Sequence, residues 1–198
     1  MNLKIANDSL IKNPFWEFSI DFYDHPGIKD ILLIIQDRYN LDIIILLMCI
    51  WLTKTNIEDA LVKNILLSSI KITSELQSNI IYNIRKSRRG LKSSFKDIKL
   101  RSYDLENYIE SARDKLKSIE IELEALQVFL IYTNLKNNFN ISMYKEDYSS
   151  NNVENSVQNI ETYLRIKNIE LFKEIKENLR ERISSYFLVK GKKEGEEL

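Results

Sequence analysis

The chain has 198 residues, with 29 Lys and Arg against 29 Asp and Glu, one His, one Cys, four Gly and two Pro. So few glycines, two of them at 191 and 195, exclude the spaced phosphate loops of Walker-type and Rossmann-type sites, and a single histidine argues against a His-built zinc centre or a triad drawn from several histidines. Zero formal net charge argues against a wholly basic nucleic-acid binder, and a lone cysteine permits no intrachain disulfide and suits a reducing compartment.

Scarce Gly and Pro, with long stretches of 3.6-residue apolar periodicity, predict an all-α protein: a helical bundle of about six helices. Asn13-Pro14 reads as an N-cap followed by proline at the first helical position. The first helix runs from there to about Asp24, with Phe15, Phe18 and Phe22 on one face. Pro26 pushes His25 out of helical geometry and ends it. A second helix follows, with Ile28, Ile31, Leu32 and Ile35 inward, and Gln36 to Asn40 reads as a short polar break. Asp42 is a good N-cap for a third helix from Ile43 to Thr53, apolar all round and therefore expected at the buried centre. The ten-residue apolar run Ile43 to Leu52 is the longest in the chain, short of the about 20 residues a membrane span needs.

Asn56 reads as the cap of a fourth helix, with Asp59 echoing a capping box. Its apolar residues continue through Leu61, Ile65, Leu66, Ile72, Leu76, Ile80 and Ile84, with a break suggested near Ser68-Ser69. Leu105, Ile109, Ala112, Leu116, Ile119, Leu123, Leu126 and Leu130 then alternate at spacings of four and three. Such a stripe packs along another helix, either within the bundle or as the seam of a homodimer. The expected organisation is a bundle core over residues 1–136, a polar loop over 137–152, a long C-terminal helix over 153–189 and a disordered charged tail over 190–198. The 105–130 and 153–188 helices are expected to form an antiparallel pair or to reach for a second subunit.

Residues 15–52 read FWEFSIDFYDHPGIKDILLIIQDRYNLDIIILLMCIWL. This stretch resembles a family of small bacterial proteins known as domain of unknown function 2390, whose pattern is F-W-x-F-S, a following Tyr, P-G-V, L-Q-D, then G-x-D-V-N and a leucine run ending in Trp-Leu. The matching positions are Phe15, Trp16, Phe18, Ser19, Tyr23, Pro26, Gly27, Gln36, Asp37, Asp42 and Trp51, with a weaker echo at Arg85, Arg88, Arg89, Leu91 and Lys92. Two positions depart from the pattern. Asn40 replaces its glycine, and asparagine tolerates the left-handed turn. Ile44 replaces its asparagine, so a polar site there would be weakened. The resemblance covers roughly residues 13–130 and implies an all-helical fold and no particular activity.

Two constellations stand out. Gln36, Asp37, Arg38 and Asp42 lie between apolar helices, as a polar cluster at a pocket mouth or as partners for helix ends. Arg85, Lys86, Arg88, Arg89, Lys92 and Lys96 begin a run of eight cationic residues, closing with Lys99 and Arg101, against the single acid Asp97. That run is either an anion patch or the partner of the acidic helix that follows, which carries Asp104, Glu106, Glu110, Asp114, Glu120, Glu122 and Glu124. Glu17, Asp21 and Asp24 form a carboxylate row of the kind that holds magnesium-diphosphate in isoprenoid synthases, although a solvated helix face is the simpler account. His25 reads as a capping or surface group, and Cys49 as inert core. No cofactor is implied. The functions expected are, first, a non-enzymatic cytoplasmic interaction or adaptor module with a protein partner or homodimer. The second is a bundle binding a small or lipid-like molecule, an enzyme if it uses carboxylate-bound magnesium. The third is nucleic-acid binding through residues 85–101.

Overall fold

A computed structural model of the chain describes residues 13–95, 103–142 and 150–195, which form an all-α bundle without strands. It begins with α1 (Pro14–Tyr23), α2 (Ile28–Tyr39) and α3 (Ile43–Trp51), the last running into a 3-10 turn, Leu52–Lys54. A continuous rod follows: α4 (Asp59–Glu75), a π turn (Leu76–Ile81) and α5 (Tyr82–Ser94). Then come α6 (Tyr103–Phe139), α7 (Ser150–Lys167) and α8 (Lys173–Gly195). Among the described residues, no helix is long and apolar enough to cross a membrane.

The early boundaries follow from local chemistry. Asn13 Oδ1 accepts from Trp16 N at 2.9 Å and Asp42 Oδ1 accepts from Ile44 N at 2.9 Å, each satisfying an orphan donor of a first helical turn. Asn40 closes α2 in the left-handed region at φ 51. Gly27 starts α2 at φ 80, and a Cβ there would lie 2.7 to 2.9 Å from the Arg182 guanidinium. This position therefore needs glycine for its backbone angle, and a side chain there would also have to displace the flexible end of Arg182.

All of α3 is buried, as an all-apolar helix requires. It packs against α1, α4, α6 and α7. Phe15 stacks on Trp51 with ring centroids 4.9 Å apart. α7 is tied to it by two polar contacts, Asn159 Nδ2 donating to Cys49 O at 2.9 Å and the Asp42 amide donating to the Tyr163 hydroxyl at 3.2 Å. α8 lies over α2 and α7. Its Tyr186 meets Phe18 and Phe22 edge-on and donates to Asp21 at 2.7 Å.

Several expectations are corrected. Gln36 to Asn40 is not a break: α2 continues to Tyr39, and Gln36 is buried within it. Asn56 does not cap α4. Its side chain accepts from Ser142 N and donates to Asn140 O, pinning the far end of α6 instead. The C-terminal helix is two helices, because Asn168 adopts φ 52 and ends α7 with paired bonds, Asn168 N to Arg165 O and Ile169 N to Leu164 O. The charged stretch from Lys190 remains helical to Gly195; residues 196–198 lie outside the described residues, as does the middle of the polar loop, 143–149. The long helix α6 pairs with the rod rather than with a C-terminal helix. Ser68 meets Asn134, and Arg85 meets Glu120 and Glu124, which fixes the pair as antiparallel.

The rod itself holds the largest surprise. α4 buries Val62, Ile65, Leu66, Ser69 and Thr73. Continued at 3.6 residues per turn, that face brings Ile80 and Ile84 inward. The π turn instead adds one residue to the register, with Tyr82 N–H bonding back to Gln77 O. Ile81 and Arg85 are buried in their place, and Ile80 is left 45% exposed. A regular helix of this sequence would have put an isoleucine where Arg85 now sits.

Candidate functional site

The inward turn of Arg85 creates a buried ion network. Its Nε donates to Glu120 Oε1 at 2.7 Å and its Nη2 to Glu124 Oε1 at 2.8 Å. Arg88, one turn on, donates through Nε to the other oxygen of Glu120 at 2.7 Å. Glu120 and Glu124 share one face of α6 and would repel without these cations between them. Burial works against the Glu120 charge, but hydrogen bonds from Arg88 and Arg85 outweigh it and hold the carboxyl below its ordinary value. Glu124 goes the other way. Burial, with Glu120 and Asp42 nearby, pushes its carboxyl up to about 7 despite Arg85. Burial likewise pushes the Tyr23 hydroxyl, beside Glu124, up to about 12.

Asp42 is the second anchor. One carboxylate oxygen caps α3 and the other accepts from Gln127 Nε2 of α6, so a single side chain joins the start of the central helix to the long helix. Burial raises its carboxyl above the ordinary range even with these partners. Gln127 is fully buried, and its Oε1 has no hydrogen-bond partner among the described residues.

Between α1, α2, α3, α5 and α6 these groups line a cavity of about 190 Å³ that opens to the surface beside the exposed Asp24, Lys29 and Lys117. Its apolar lining comes from Ile20, Leu33, Ile43, Ile44, Leu47 and Ile121. Its polar lining comes from Trp16, Tyr23, Gln36, Arg88, Glu120 and Glu124, with Asp24, Lys29 and Lys117 also present. Trp16 is 6% exposed, and its indole Nε1 is buried without an acceptor among the described residues. A buried donor left unpaired costs about 1–3 kcal/mol, so such a group marks a place that a ligand or water would fill.

The two constellations read separately from the sequence meet here. Gln36 lines the cavity, Asp42 anchors it, and exposed Asp37 pairs with Arg89 across the α2–α5 junction. Arg38 is not part of it; its guanidinium lies over the Phe172 ring at 4.7 Å. Arg85, Arg88 and Arg89 are all engaged with acids, while Lys86 is exposed. Lys96 and the side chain of Lys92 lie outside the described residues. The anion-patch expectation thus loses its three arginines to internal pairing. The carboxylate row is also dispersed. Asp21 accepts from Tyr186 and Lys190, and among the described residues no group of three or more His, Cys, Asp or Glu is placed to hold a metal ion. His25 meets Ser185 at 3.2 Å between helices, and burial pushes the Cys49 thiol up, away from reactivity.

Sequence reasoning missed Trp16, Gln127 and Tyr163 as polar participants. Gln127 and Tyr163 carry no local signal, because each acts on Asp42 from far along the chain. The Glu120–Glu124 pair did carry one: two carboxylates four residues apart beside a leucine stripe need a cationic partner when that face is buried.

Fold and site together define an all-helical bundle with an ion-paired, partly apolar pocket open to its surface. A family model described as a protein of unknown function, DUF2390, matches residues 14–131. The match covers more than half of the chain, and the chain belongs to this family. No curated protein and no solved structure matches it. The matched span supplies every wall of the cavity, and Ile44, where the family pattern carries asparagine, is one of its apolar linings.

Proposed function

We propose that the protein is a small-molecule-binding helical module, and that its ligand has a compact apolar body and a carboxylate or carbonyl head. The observation that carries this is a pocket of about 190 Å³ lined by Trp16, whose buried N–H has no acceptor among the described residues, by Arg88 and by six isoleucine and leucine side chains. The apolar body lies against Ile44, Leu47 and Ile121, and the head accepts from Trp16 and Arg88. Ile44 makes the wall less polar than the family pattern would. A ligand-binding role outranks a protein-interaction role because the 105–130 stripe, which motivated the latter, is mostly half-buried within this chain, with Ile119 its exposed member.

Glu124 makes the reading testable by pH. Its carboxyl titrates near 7, flanked by Glu120, Asp42, Arg85 and Tyr23. Below that pH it is neutral and can donate to an anionic head; above it, its charge repels one. Affinity for benzoate or hexanoate, followed by tryptophan fluorescence and calorimetry, should therefore fall as pH rises through about 7. Glu124→Gln should abolish that dependence. Trp16→Phe, which deletes only the N–H donor, should weaken binding by about fivefold, the worth of one hydrogen bond. No binding of either acid between pH 5 and 8, or identical affinity in Trp16→Phe, would remove the proposal.

A further inference from the structure

We propose a second, independent binding site at the π turn, which takes an uncharged polyhydroxylated ligand of monosaccharide size. A cavity of about 380 Å³ opens there, between the π turn, the Asn40–Asp42 corner and α7. This volume lies within the about 300–1,000 Å³ typical of small-molecule sites. Its place is not incidental, since π turns break regular helix packing and recur at functional sites. Asp42 lines this cavity, and its neighbours Ile43 and Ile44 line the one beside Trp16.

The lining is composed of hydroxyls and amides with their roles already assigned. Thr73, Ser74 and Ser78 each donate to a carbonyl of their own helix: Ser69 O at 2.8 Å, Lys71 O at 3.0 Å and Ser74 O at 2.7 Å. Their oxygens are left as acceptors. Tyr163 is complementary. Its oxygen accepts from the Asp42 amide, and its own proton has no acceptor among the described residues. Gln77 brings both a donor and an acceptor, with no partner among the described residues. A surface that alternates accepting and donating oxygens is matched by a ligand whose every hydroxyl does both. Ile70 and the half-exposed Tyr82 ring supply apolar surface for the C–H face of a sugar-like ring.

The charges present do not suit an ionised ligand. Each Asp42 oxygen already accepts a hydrogen bond, from Ile44 N and Gln127 Nε2, which makes that carboxylate a weaker partner for a cation. Among the described residues Lys167 is the one cationic residue lining the cavity, too little for a phosphate, which is ordinarily held by several donors and charges.

The test is saturation-transfer NMR on the full chain with glucose, N-acetylglucosamine and myo-inositol, and with citrate and inorganic phosphate as charged comparators in a competition format. Transfer to at least one neutral probe is expected, weakened about fivefold or more in Gln77→Ala and in Tyr82→Ala, each of which deletes one contact. Both positions are partly or fully exposed, so the fold should survive, and circular dichroism checks that. Trp16→Phe should leave this binding unchanged. Absence of transfer from all three neutral probes overturns the proposal. Equal binding in Gln77→Ala, or displacement of the neutral probe by citrate or phosphate, does so as well.

Discussion

The segment from Asn13 to Lys54 and the rod from Asp59 to Ser94 reach their structures by opposite means. In the first, each helix is set by its neighbours in sequence: Asn13 and Asp42 cap, Asn40 turns, and α3 is buried because all of it is apolar. In the rod, the local pattern is overruled. Its apolar spacing points Ile80 and Ile84 inward, yet the π turn rotates the face by one residue and delivers Arg85 to Glu120 and Glu124. Local chemistry thus sets where helices begin, while long-range pairing sets which face they bury.

The largest expected effect tests that second half. Arg85→Ala leaves two carboxylates in a buried face without their shared cation and should destabilise the protein by about 3–5 kcal/mol in urea unfolding. A loss below about 1 kcal/mol would mean the ion network does not hold the rod's register. The next effect tests the first half. Gly27→Ala forces a side chain into φ 80 and against Arg182, and should cost about 1–3 kcal/mol. Making the same change in an Arg182→Ala background should recover the steric part and leave the backbone part, which separates the two causes by the same unfolding measurement.

A smaller effect is expected where intuition suggests a large one. Deleting Ser78 removes the extra residue of the π turn and should let the rod run as a regular helix with Ile81 and Arg85 still inward. Stability should then stay within about 1 kcal/mol of the parent, because the π turn is a single-residue accommodation. A collapse of the fold on this deletion would show that the turn is required rather than tolerated. The smallest effect belongs to Arg89→Ala. The Asp37–Arg89 pair has side chains 46% and 54% exposed. Its loss should change stability by less than about 1 kcal/mol, and less still in high salt.

Much of the candidate site was present in the sequence in pieces. Trp16, Ser19, Tyr23 and Gln36 lie in the motif that carries the family resemblance, and all line one cavity. Arg85, Arg88 and Arg89 were visible as a basic run, but their direction was not. A run of cations at helical spacing is equally consistent with a solvent-facing patch and with an inward one, and the choice depends on which residues the partner helix presents. For Arg85 and Arg88, Glu120 and Glu124 make that choice, from 32 to 39 residues away. The stripe from Leu105 to Leu130 misled for a related reason. It is a genuine periodicity, but α6 buries Gln127, Val128, Ile131 and Leu135 most deeply, with Ala125 and Glu120 next, because the core it meets lies to one side of the stripe.

By itself the sequence determined the fold class, the caps of α1 and α3 and the burial of α3. Each of these depends on residues within a few positions of one another, where spacing and side-chain chemistry suffice. Only the tertiary structure decided the register of the rod, the split of the C-terminal helix pair from α6, and the meeting of Asp42 with Gln127 and Tyr163. Those outcomes are set by which buried polar groups find partners across the bundle, and a linear spacing carries no record of a contact made more than eighty residues away.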